Sequence, residues 1–204
     1  MPSEDLVFLA DRKNAPYGTK EKDEILRLCS SCITRLANTG AERVLIACCT
    51  ASSVHGELDF ELQKISVPII APVAEAAARV TKTGNIAVIA TAHTARSGAF
   101  KSALLRLGNF SVSEQCAQEL VEISEKCASG AYLEKCEIKA VISAVDSALS
   151  AGADTLILGC THFSFLYKQI KSAYSGINII DSAKVGALHF SRFEGGGKGN
   201  TFFI

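Results

Sequence analysis

One stretch of the chain occurs twice, and this repeat constrains the fold more than any other feature. The segment GAERVLIACCTAS, residues 40–52, has the same pattern as GADTLILGCTHFS, residues 152–164. Each copy begins with Gly-Ala and an acidic residue, runs through three aliphatic residues, and reaches a cysteine that a threonine follows within two positions. The repeat predicts two copies of one strand–cysteine–helix unit, with Cys48 and Cys160 at equivalent positions.

Continuous apolar strands alternate with helical segments along the rest of the chain. Strands are predicted at LVFLA, RVLIACCT, SVPIIAPV, NIAVIAT, FSVSEQC, TLILGC and INIID, with helices between them, one of which covers residues 51–64. This alternation predicts an α/β fold of parallel sheets covered by helices on both faces. Ligands of such sheets bind at the carboxyl ends of the strands. The residues expected at those ends are Asp11, Cys48, Thr91, Cys160 and Asp181.

The composition of the 204 residues excludes several classes of function. Lys and Arg number 21, as do Asp and Glu, so the formal net charge is zero and no basic block marks a nucleic-acid surface. No apolar run approaches the roughly 18 residues of a membrane span, and the start does not resemble a signal peptide. We therefore expect a cytoplasmic protein without nucleic-acid or membrane partners. A net charge of zero also favours association into a homodimer.

Eight cysteines are many for the cytoplasm, where disulfides are disfavoured, so we expect free thiols. Cys29 and Cys32 form the only CxxC pair, and neither a second pair nor histidines at matching spacing accompany it. We therefore expect no metal site. Two small core residues on one helix face are the simpler interpretation of this pair.

The two strand-end cysteines suit one chemical task. A helix N-terminus lowers the pKa of a thiol, and Cys48 and Cys160 each precede a predicted helix. If the two units face each other, one thiolate removes a proton from a substrate carbon while the other thiol delivers one to the opposite face, which inverts a stereocentre without a cofactor. Neighbouring hydroxyls suited to hold substrate carboxylates are those of Thr50, Thr91, Thr94 and Thr161.

A single cysteine at the end of an apolar strand is more often a small core residue than a reactive one. The duplicated setting of Cys48 and Cys160 favours a functional role instead. His162 stands beside Cys160 but has no counterpart beside Cys48, and it is suited to move protons or hold charge near that thiol.

Five motifs in order resemble those of the glutamate racemases, within the aspartate/glutamate racemase superfamily. They are FLADRKNAPYGTK, LIACCTAS, AVIATAHTARSGAF, LILGCTHF and INIIDSA, and GNTFFI is similar to the start of the family's terminal strand. The resemblance covers about residues 6–204. It implies two pseudosymmetric α/β domains, 1–71 plus 181–204 and 72–180, with the active site in the cleft between them.

The resemblance also implies an activity and a set of site residues. The activity is the cofactor-independent interconversion of L- and D-glutamate, an isomerase reaction that supplies D-glutamate for peptidoglycan, cell-wall biogenesis and cell shape. Cys48 and Cys160 would be the two catalytic bases, and His162 would support Cys160. The residues implied to contact the amino acid are Tyr17, Gly18, Cys49, Thr50, Thr94 and Thr161, with Asp11 and Glu125 expected behind them.

The chain departs from the family's pattern at several places. The family opens with a strand that ends in Asp-Ser-Gly, whose Asp assists the first cysteine, and this chain begins after that point and stops inside the terminal motif. Both ends therefore read as cut short, as in a fragment, a misassigned start or a degenerate paralogue. The first sheet is expected to lack its central strand, which leaves apolar edges unpaired. Cys49 replaces an asparagine, and Phe163-Ser164 stands in for Tyr-Pro.

Three alternatives to a glutamate racemase stay open on the sequence. One is a catalytically impaired or non-catalytic remnant that binds an acidic ligand or a partner protein. Another is an aspartate racemase, against which the GCTH motif with His162 argues. The last is a redox role for Cys48-Cys49 or for the CxxC pair.

Overall fold

The computed structural model describes residues 4–193 and 197–204. The strands are Leu6–Phe8 (β1), Val44–Ile46 (β2), Ser66–Pro68 (β3), Asn85–Ala90 (β4), Ser111–Cys116 (β5), Thr155–Gly159 (β6), Asn178–Asp181 (β7) and Thr201–Phe203 (β8). The α-helices are Lys22–Ala37 (α1), Cys49–Ser52 (α2), Phe60–Ile65 (α3), Ile70–Val80 (α4), Ala92–Ser97 (α5), Ala99–Leu107 (α6), Leu120–Ala128 (α7), Lys135–Leu149 (α8), Tyr167–Ala173 (α9) and Ser182–Phe190 (α10), and short 3-10 helices cover His55–Glu57 and Thr161–Leu166. None of the helices in these described residues is both long and apolar enough to cross a lipid bilayer.

A four-stranded parallel sheet in the order β5-β4-β6-β7 forms the larger part of the fold. Its central strands, β4 and β6, are uninterrupted apolar runs, and such runs suit strands that are buried on both faces. In the register of the sheet, Ala90 of β4 pairs with Gly159 of β6, and Leu158 of β6 pairs with Asp181 of β7. The carboxyl ends of these three strands therefore lie side by side at one edge.

Helices cover both faces of this sheet. Ile86 and Val88 of β4 pack with α4 and α6 on one face. Ala87 and Ile89 of the same strand pack with α7 and α8 on the other face. Each fully buried aliphatic side chain of this kind contributes about 1.5–3 kcal/mol of hydrophobic stabilisation. The predicted α/β fold with parallel sheets flanked by helices is confirmed.

The strands of the other half form two separate parallel pairs. β2 pairs with β3, with Ile46 opposite Pro68, and α1 packs its apolar face against them. β1 pairs with β8, where the rings of Phe8 and Phe203 meet edge to face at 5.7 Å although they are 53% and 77% exposed. Among the described residues no strand joins the two pairs.

Three local predictions differ from the structure. The helix expected over 51–64 is broken into α2, a 3-10 helix and α3, because Gly56 has a low helix propensity and the chain is extended at Leu58 and Asp59. The strand expected over 66–73 stops at Pro68, and α4 starts at Ile70 with Pro72 in its first turn, where a helix needs no N–H. α10 was not predicted.

The predicted domain division into 1–71 plus 181–204 and 72–180 stays a prediction. α10, which this division gives to the first domain, packs on the helix layer of the four-stranded sheet through Val185. Its Gly186 lies against the residue before α4, since a Cβ there would be 2.7 Å from Cγ2 of Ile69. Chain segments on both sides of the predicted boundary thus share one apolar cluster.

Candidate active site

Cys48 and Cys160 lie in two turns of the same geometry. Each follows a strand, β2 or β6, and directly precedes a short helix, α2 or the 3-10 helix Thr161–Leu166. Their backbone angles nearly coincide, with φ −136° and ψ 125° at Cys48 and φ −137° and ψ 132° at Cys160. Both thiols are free. The equivalence seen in the sequence repeat therefore extends to the backbone.

Burial dominates the acidity of both thiols. Burial raises the pKa of Cys160 to about 12, and the nearby Cys48 raises it further. The backbone N–H groups of the turn that follows Cys160 lower this pKa, but by less. Burial also raises the pKa of Cys48, opposed by the N–H groups of Ala51 and Thr50 and by the Thr50 hydroxyl. Both thiols are therefore protonated at neutral pH, and each lies within electrostatic reach of the other.

His162 connects Cys160 to a carboxylate on a different helix. Its Nδ1 lies 3.8 Å from the Cys160 sulfur, and its Nε2 lies 3.6 Å from Oε1 of Glu125 on α7. The imidazole and the carboxylate are both exposed, so their contact adds little stability but limits the orientation of the ring. This imidazole is in place to exchange protons at Cys160.

Three threonine hydroxyls form a closed triangle beside Cys48. The Thr50 hydroxyl lies 3.0 Å from those of Thr91 and Thr94, and the latter two are 2.9 Å apart. All three residues are buried, and Thr94 is fully so. Three hydroxyls can donate one hydrogen each around such a ring, which satisfies them without solvent. Thr91 and Thr94 come from the end of β4 and from α5, so the triangle ties α2 to the larger sheet.

The Tyr17-Gly18 turn packs on the same helix, α5. The Gly18 carbonyl accepts a 2.9 Å hydrogen bond from the backbone N–H of His93. A Cβ at Gly18 would lie only 2.6 Å from Cβ of Thr91, so only glycine fits there. The Tyr17 side chain packs in the same apolar cluster as Cys48. Gly18 is therefore held against Thr91 of the threonine triangle, and Tyr17 lies in the apolar cluster on which Cys48 packs.

Asp11 acts on Tyr17 rather than on either thiol. Its Oδ2 accepts a 2.6 Å hydrogen bond from the Tyr17 hydroxyl, and Asn14 donates to both of its oxygens at 2.8 and 2.9 Å. Partial burial pushes the pKa of Asp11 up, but these hydrogen bonds outweigh burial and hold it below its usual value. Burial, with Asp11 next, raises the pKa of Tyr17, which keeps that hydroxyl protonated.

Cys49 and Thr161 have different surroundings. Cys49 is 1% exposed and lies in the apolar cluster that includes Ile69 and Ile180. Burial raises the pKa of Cys49, and Cys160 and Cys48 add to the rise. Thr161 is half-buried and lines a small cavity of about 100 Å³ whose other residues are Leu45, Ala47, Ile69, Ser182, Ala183, Gly186 and Ala187.

A larger cavity has a volume of about 310 Å³. It is lined by Glu21, Lys22, Ser53, Val54, Glu57, His93, Arg96 and Ser97. Neither this cavity nor the smaller one includes Cys48 or Cys160 in its lining. Cys160 is buried and Cys48 is half-buried.

Within residues 4–193 and 197–204, His, Cys, Asp and Glu side chains do not gather in threes with a geometry that could hold a metal ion. In particular, Cys29 is buried and Cys32 half-buried, and the Cys32 sulfur lies 4.0 Å from the Tyr17 hydroxyl.

Two residues that sequence reasoning did not assign to the site contact its turns. Ser164 donates a 2.5 Å hydrogen bond to Oδ1 of Asp181, and the Ser182 hydroxyl donates to the carbonyl of Leu158 at 2.5 Å. The signal that would have pointed to Ser164 was present, because both copies of the sequence repeat end in serine four residues after the cysteine.

The chain is similar to proteins of one family along nearly all of its length. Residues 2–189 match the Asp/Glu/hydantoin racemase family. A glutamate racemase from Persephonella marina is 36% identical over 194 residues, which cover 94% of this chain and 73% of that protein. A glutamate racemase from Aquifex aeolicus is 33% identical over 206 residues, covering 99% of this chain and 79% of that protein.

A solved structure agrees with these relatives. The crystal structure of a glutamate racemase from Bacillus anthracis superposes with a TM-score of 0.87 at 26% identity, covering 99% of this chain and 78% of that chain. The agreement extends over both halves of the fold, since almost the whole chain takes part in the superposition.

Proposed function

The chain belongs to the Asp/Glu/hydantoin racemase family, and from that premise we propose that it is a cofactor-independent glutamate racemase that uses Cys48 and Cys160 as its two bases. The observation that carries the mechanism is the pair of matched turns. Each presents one thiol with the same backbone angles, and the two thiols lie within electrostatic reach of each other.

The chemistry needs one thiolate and one thiol at a time. The thiolate on one side takes the α-proton of glutamate and becomes a thiol, which leaves a carbanion stabilised by the α-carboxylate. The thiol on the other side gives its proton to the opposite face of that carbon and becomes a thiolate. The proton count is unchanged over the reaction, and the reverse direction exchanges the roles of Cys48 and Cys160.

Raised thiol pKa values make formation of the first thiolate the demanding step. Burial keeps both sulfurs protonated at neutral pH, so a base must remove one proton. His162 is suited to this task at Cys160, because its Nδ1 lies 3.8 Å from the sulfur and Glu125 limits the orientation of its ring. On the Cys160 side of the cleft, the imidazole of His162 and the thiol of Cys160 then both take part in proton transfer.

Hydroxyl and backbone donors surround the thiols and would hold the carboxylates of the substrate. The residues that we propose to contact glutamate are Tyr17, Gly18, Cys49, Thr50, Thr94 and Thr161. Thr50 and Thr94 at present bond to each other, so we propose that substrate opens the threonine triangle and takes up its hydroxyl donors. Cys49 is buried as Thr50 and Thr94 are, but its thiol offers only a weak donor where an amide would offer strong ones.

In its wider role, we propose that the protein acts in the cytoplasm, supplies D-glutamate for peptidoglycan, and forms a homodimer. The support for the first two is the resemblance to glutamate racemases over most of the chain. For the dimer, the support is a net charge of zero, which gives little repulsion between copies.

The proposal is tested by following racemisation of L- and D-glutamate by circular dichroism, with L- and D-aspartate in parallel. We expect turnover with glutamate and at least about 100-fold less after Cys48→Ser or Cys160→Ser, since each removes one proton-transfer group. Cys136→Ser is the matched control, because that cysteine is exposed on α8. Turnover with aspartate alone would indicate a different substrate, and no turnover in a folded sample would indicate a binding protein.

A further inference from the structure

The repeated unit extends beyond the cysteines to a serine in each copy. Ser52 and Ser164 each stand four residues after their cysteine, at the end of α2 and within the 3-10 helix Thr161–Leu166. Both side chains leave their own turn and contact the strand that neighbours the strand before the cysteine. The two contacts differ in chemistry but link equivalent elements.

Ser52 joins α2 to both strands of the first sheet. Its hydroxyl donates to the carbonyl of Ile46 at 3.1 Å and accepts from the backbone N–H of Ile69 at 3.1 Å. Ile46 is the last residue of β2, and Ile69 directly follows β3. Ser52 is buried, so both of its hydrogen bonds are shielded from water.

Ser164 makes the corresponding link in the second sheet. Its hydroxyl donates to Oδ1 of Asp181, the last residue of β7, and the same oxygen accepts from the N–H groups of Ala183 and Lys184 at 3.0 and 3.2 Å. Leu158 is the equivalent of Ile46 in the repeat, and its carbonyl likewise accepts from a serine, here Ser182. In both halves, the carbonyl two residues before the cysteine thus binds a serine hydroxyl.

These links matter because the turns are too short to be rigid on their own. α2 has four residues and the 3-10 helix six, well below the length at which a helix is stable in isolation. Their N–H groups face the thiols: those of Thr50 and Ala51 face Cys48, and those of His162 and Phe163 face Cys160. The serine anchor to the neighbouring strand therefore helps to fix the orientation of each turn, in addition to the threonine triangle that holds α2.

We propose that Ser52 and Ser164 are positioning residues, each of which fixes the turn that presents one of the two cysteines. Ser52 acts on Cys48 and Ser164 acts on Cys160. The expected effect of each serine on the rate of racemisation rests on the proposed racemase function. The expected effect on the reactivity of the two thiols does not.

The first test compares Ser52→Ala and Ser164→Ala by alkylation with iodoacetamide. Mass spectrometry of peptides gives a separate rate for each thiol, and the rate of Cys29, a buried thiol on α1, reports opening of the whole fold. We expect Ser164→Ala to raise the rate of Cys160 relative to Cys29 about three- to ten-fold, the effect of one lost hydrogen bond on a local opening, with Cys48 unchanged. Ser52→Ala gives the reverse pattern.

Three further variants serve as controls. Ser164→Thr keeps the hydroxyl and should restore the wild-type ratio. Asp181→Asn weakens the same bond from the acceptor side and should reproduce the Ser164→Ala pattern, which also covers the case in which Ser164→Ala does not fold. Ser113→Ala removes a half-buried hydroxyl of β5 that lies 3.5 Å from the carbonyl of Ala148, and it should leave both ratios unchanged.

The second test measures the primary deuterium isotope effect with each enantiomer of α-deuterated glutamate. Ser164→Ala slows proton transfer at Cys160, which abstracts the α-proton from one enantiomer and delivers a proton in the other direction. The isotope effect should therefore rise for the first enantiomer and fall for the second, and Ser52→Ala should give the opposite pattern. If the two serines had a purely structural role, each variant would slow racemisation in both directions, and the isotope effects would not change in opposite directions for the two enantiomers.

Equal changes at Cys48 and Cys160, or no change at either, would overturn the positioning role. If the wild-type chain does not racemise glutamate, the proposed function fails. The alkylation rates then still decide whether each serine acts on its own cysteine.

Discussion

The hydroxyl of Thr50 lies 3.0 Å from the hydroxyl of Thr94, and this contact joins the turn of the first thiol to the larger sheet. Thr91 completes the triangle, and all three side chains are buried. The hydroxyls of Thr50 and Thr94 are proposed to hold substrate. The hydrogen bonds of the triangle therefore stabilise the protein in the absence of substrate. When substrate opens the triangle, the same two hydroxyls become donors to it.

Thr94→Val keeps the shape of the side chain and removes one member of the triangle. We expect a loss of about 1–2 kcal/mol in the free energy of unfolding, because buried partners lose a hydrogen bond, together with a higher KM for glutamate. Urea denaturation and initial rates measure the two effects. Thr39→Val, at an exposed position, is the control and should change stability by less than about 0.5 kcal/mol. An unchanged KM would show that Thr94 does not bind substrate.

Gly18→Ala tests the close approach of the Tyr17-Gly18 turn to α5. The added Cβ would meet Thr91 at 2.6 Å and Oε1 of Gln118 at 2.7 Å, so the turn must shift. We expect a loss of about 1–3 kcal/mol by urea denaturation and a clear fall in activity. Gly176→Ala is the matched control, since no atom lies within 4 Å of a Cβ there. Equal stability of both variants would contradict the packing described.

Stability should depend on pH through Cys160. The thiol ionises near its ordinary value of 9.0 in the unfolded chain, whereas burial raises its pKa to about 12 in the fold. Above pH 9 the unfolded state therefore loses a proton that the folded state keeps, and the contribution of this thiol, complete below pH 9, is lost as the pH rises towards 12.

The measurement compares urea denaturation of the wild type and Cys160→Ser at pH 8 and pH 10. Wild type should lose about 1 kcal/mol more than the variant over this interval. Parallel losses in the two proteins would mean that the thiol is not buried as described. Activity should rise with pH over the same range, because the proposed reaction needs one thiolate.

The pair His162 and Glu125 should matter for rate and hardly for stability. His162→Asn should lower kcat by about 100-fold or more, as expected when a proton-transfer group is lost, and Glu125→Gln should have a smaller effect in the same direction. Because the contact between these two side chains is exposed, unfolding free energies should change by less than about 0.5 kcal/mol. A large loss of stability in Glu125→Gln would assign this contact to the fold instead.

Local patterns predicted the elements and the matched cysteine turns. The apolar run TLILG allowed only a strand buried on both faces, and the repeat placed Cys160 after it in the same way as Cys48 after β2. Such features depend on neighbouring residues in the chain, which is why a sequence shows them.

Contacts between distant segments were beyond this kind of reasoning. The bond of Ser164 to Asp181 and that of Thr50 to Thr94 depend on which strand ends meet, and no periodicity encodes that pairing. The break of the second predicted helix near Gly56 and the early start of α4 were missed for a different reason. There the propensities of single residues outweighed the periodic pattern.

The fate of the α-hydrogen distinguishes two thiols acting from opposite faces of one carbon from a single base. L-Glutamate is incubated in D2O, and both enantiomers are examined by NMR and mass spectrometry during the first few per cent of conversion. We expect D-glutamate that carries deuterium at the α-carbon while the remaining L-glutamate keeps its hydrogen, because one thiol removes the proton and the other delivers a solvent deuteron. Deuterium appearing equally in both enantiomers, or hydrogen retained in the D-glutamate, would mean that a single base serves both faces and would overturn the two-thiol mechanism.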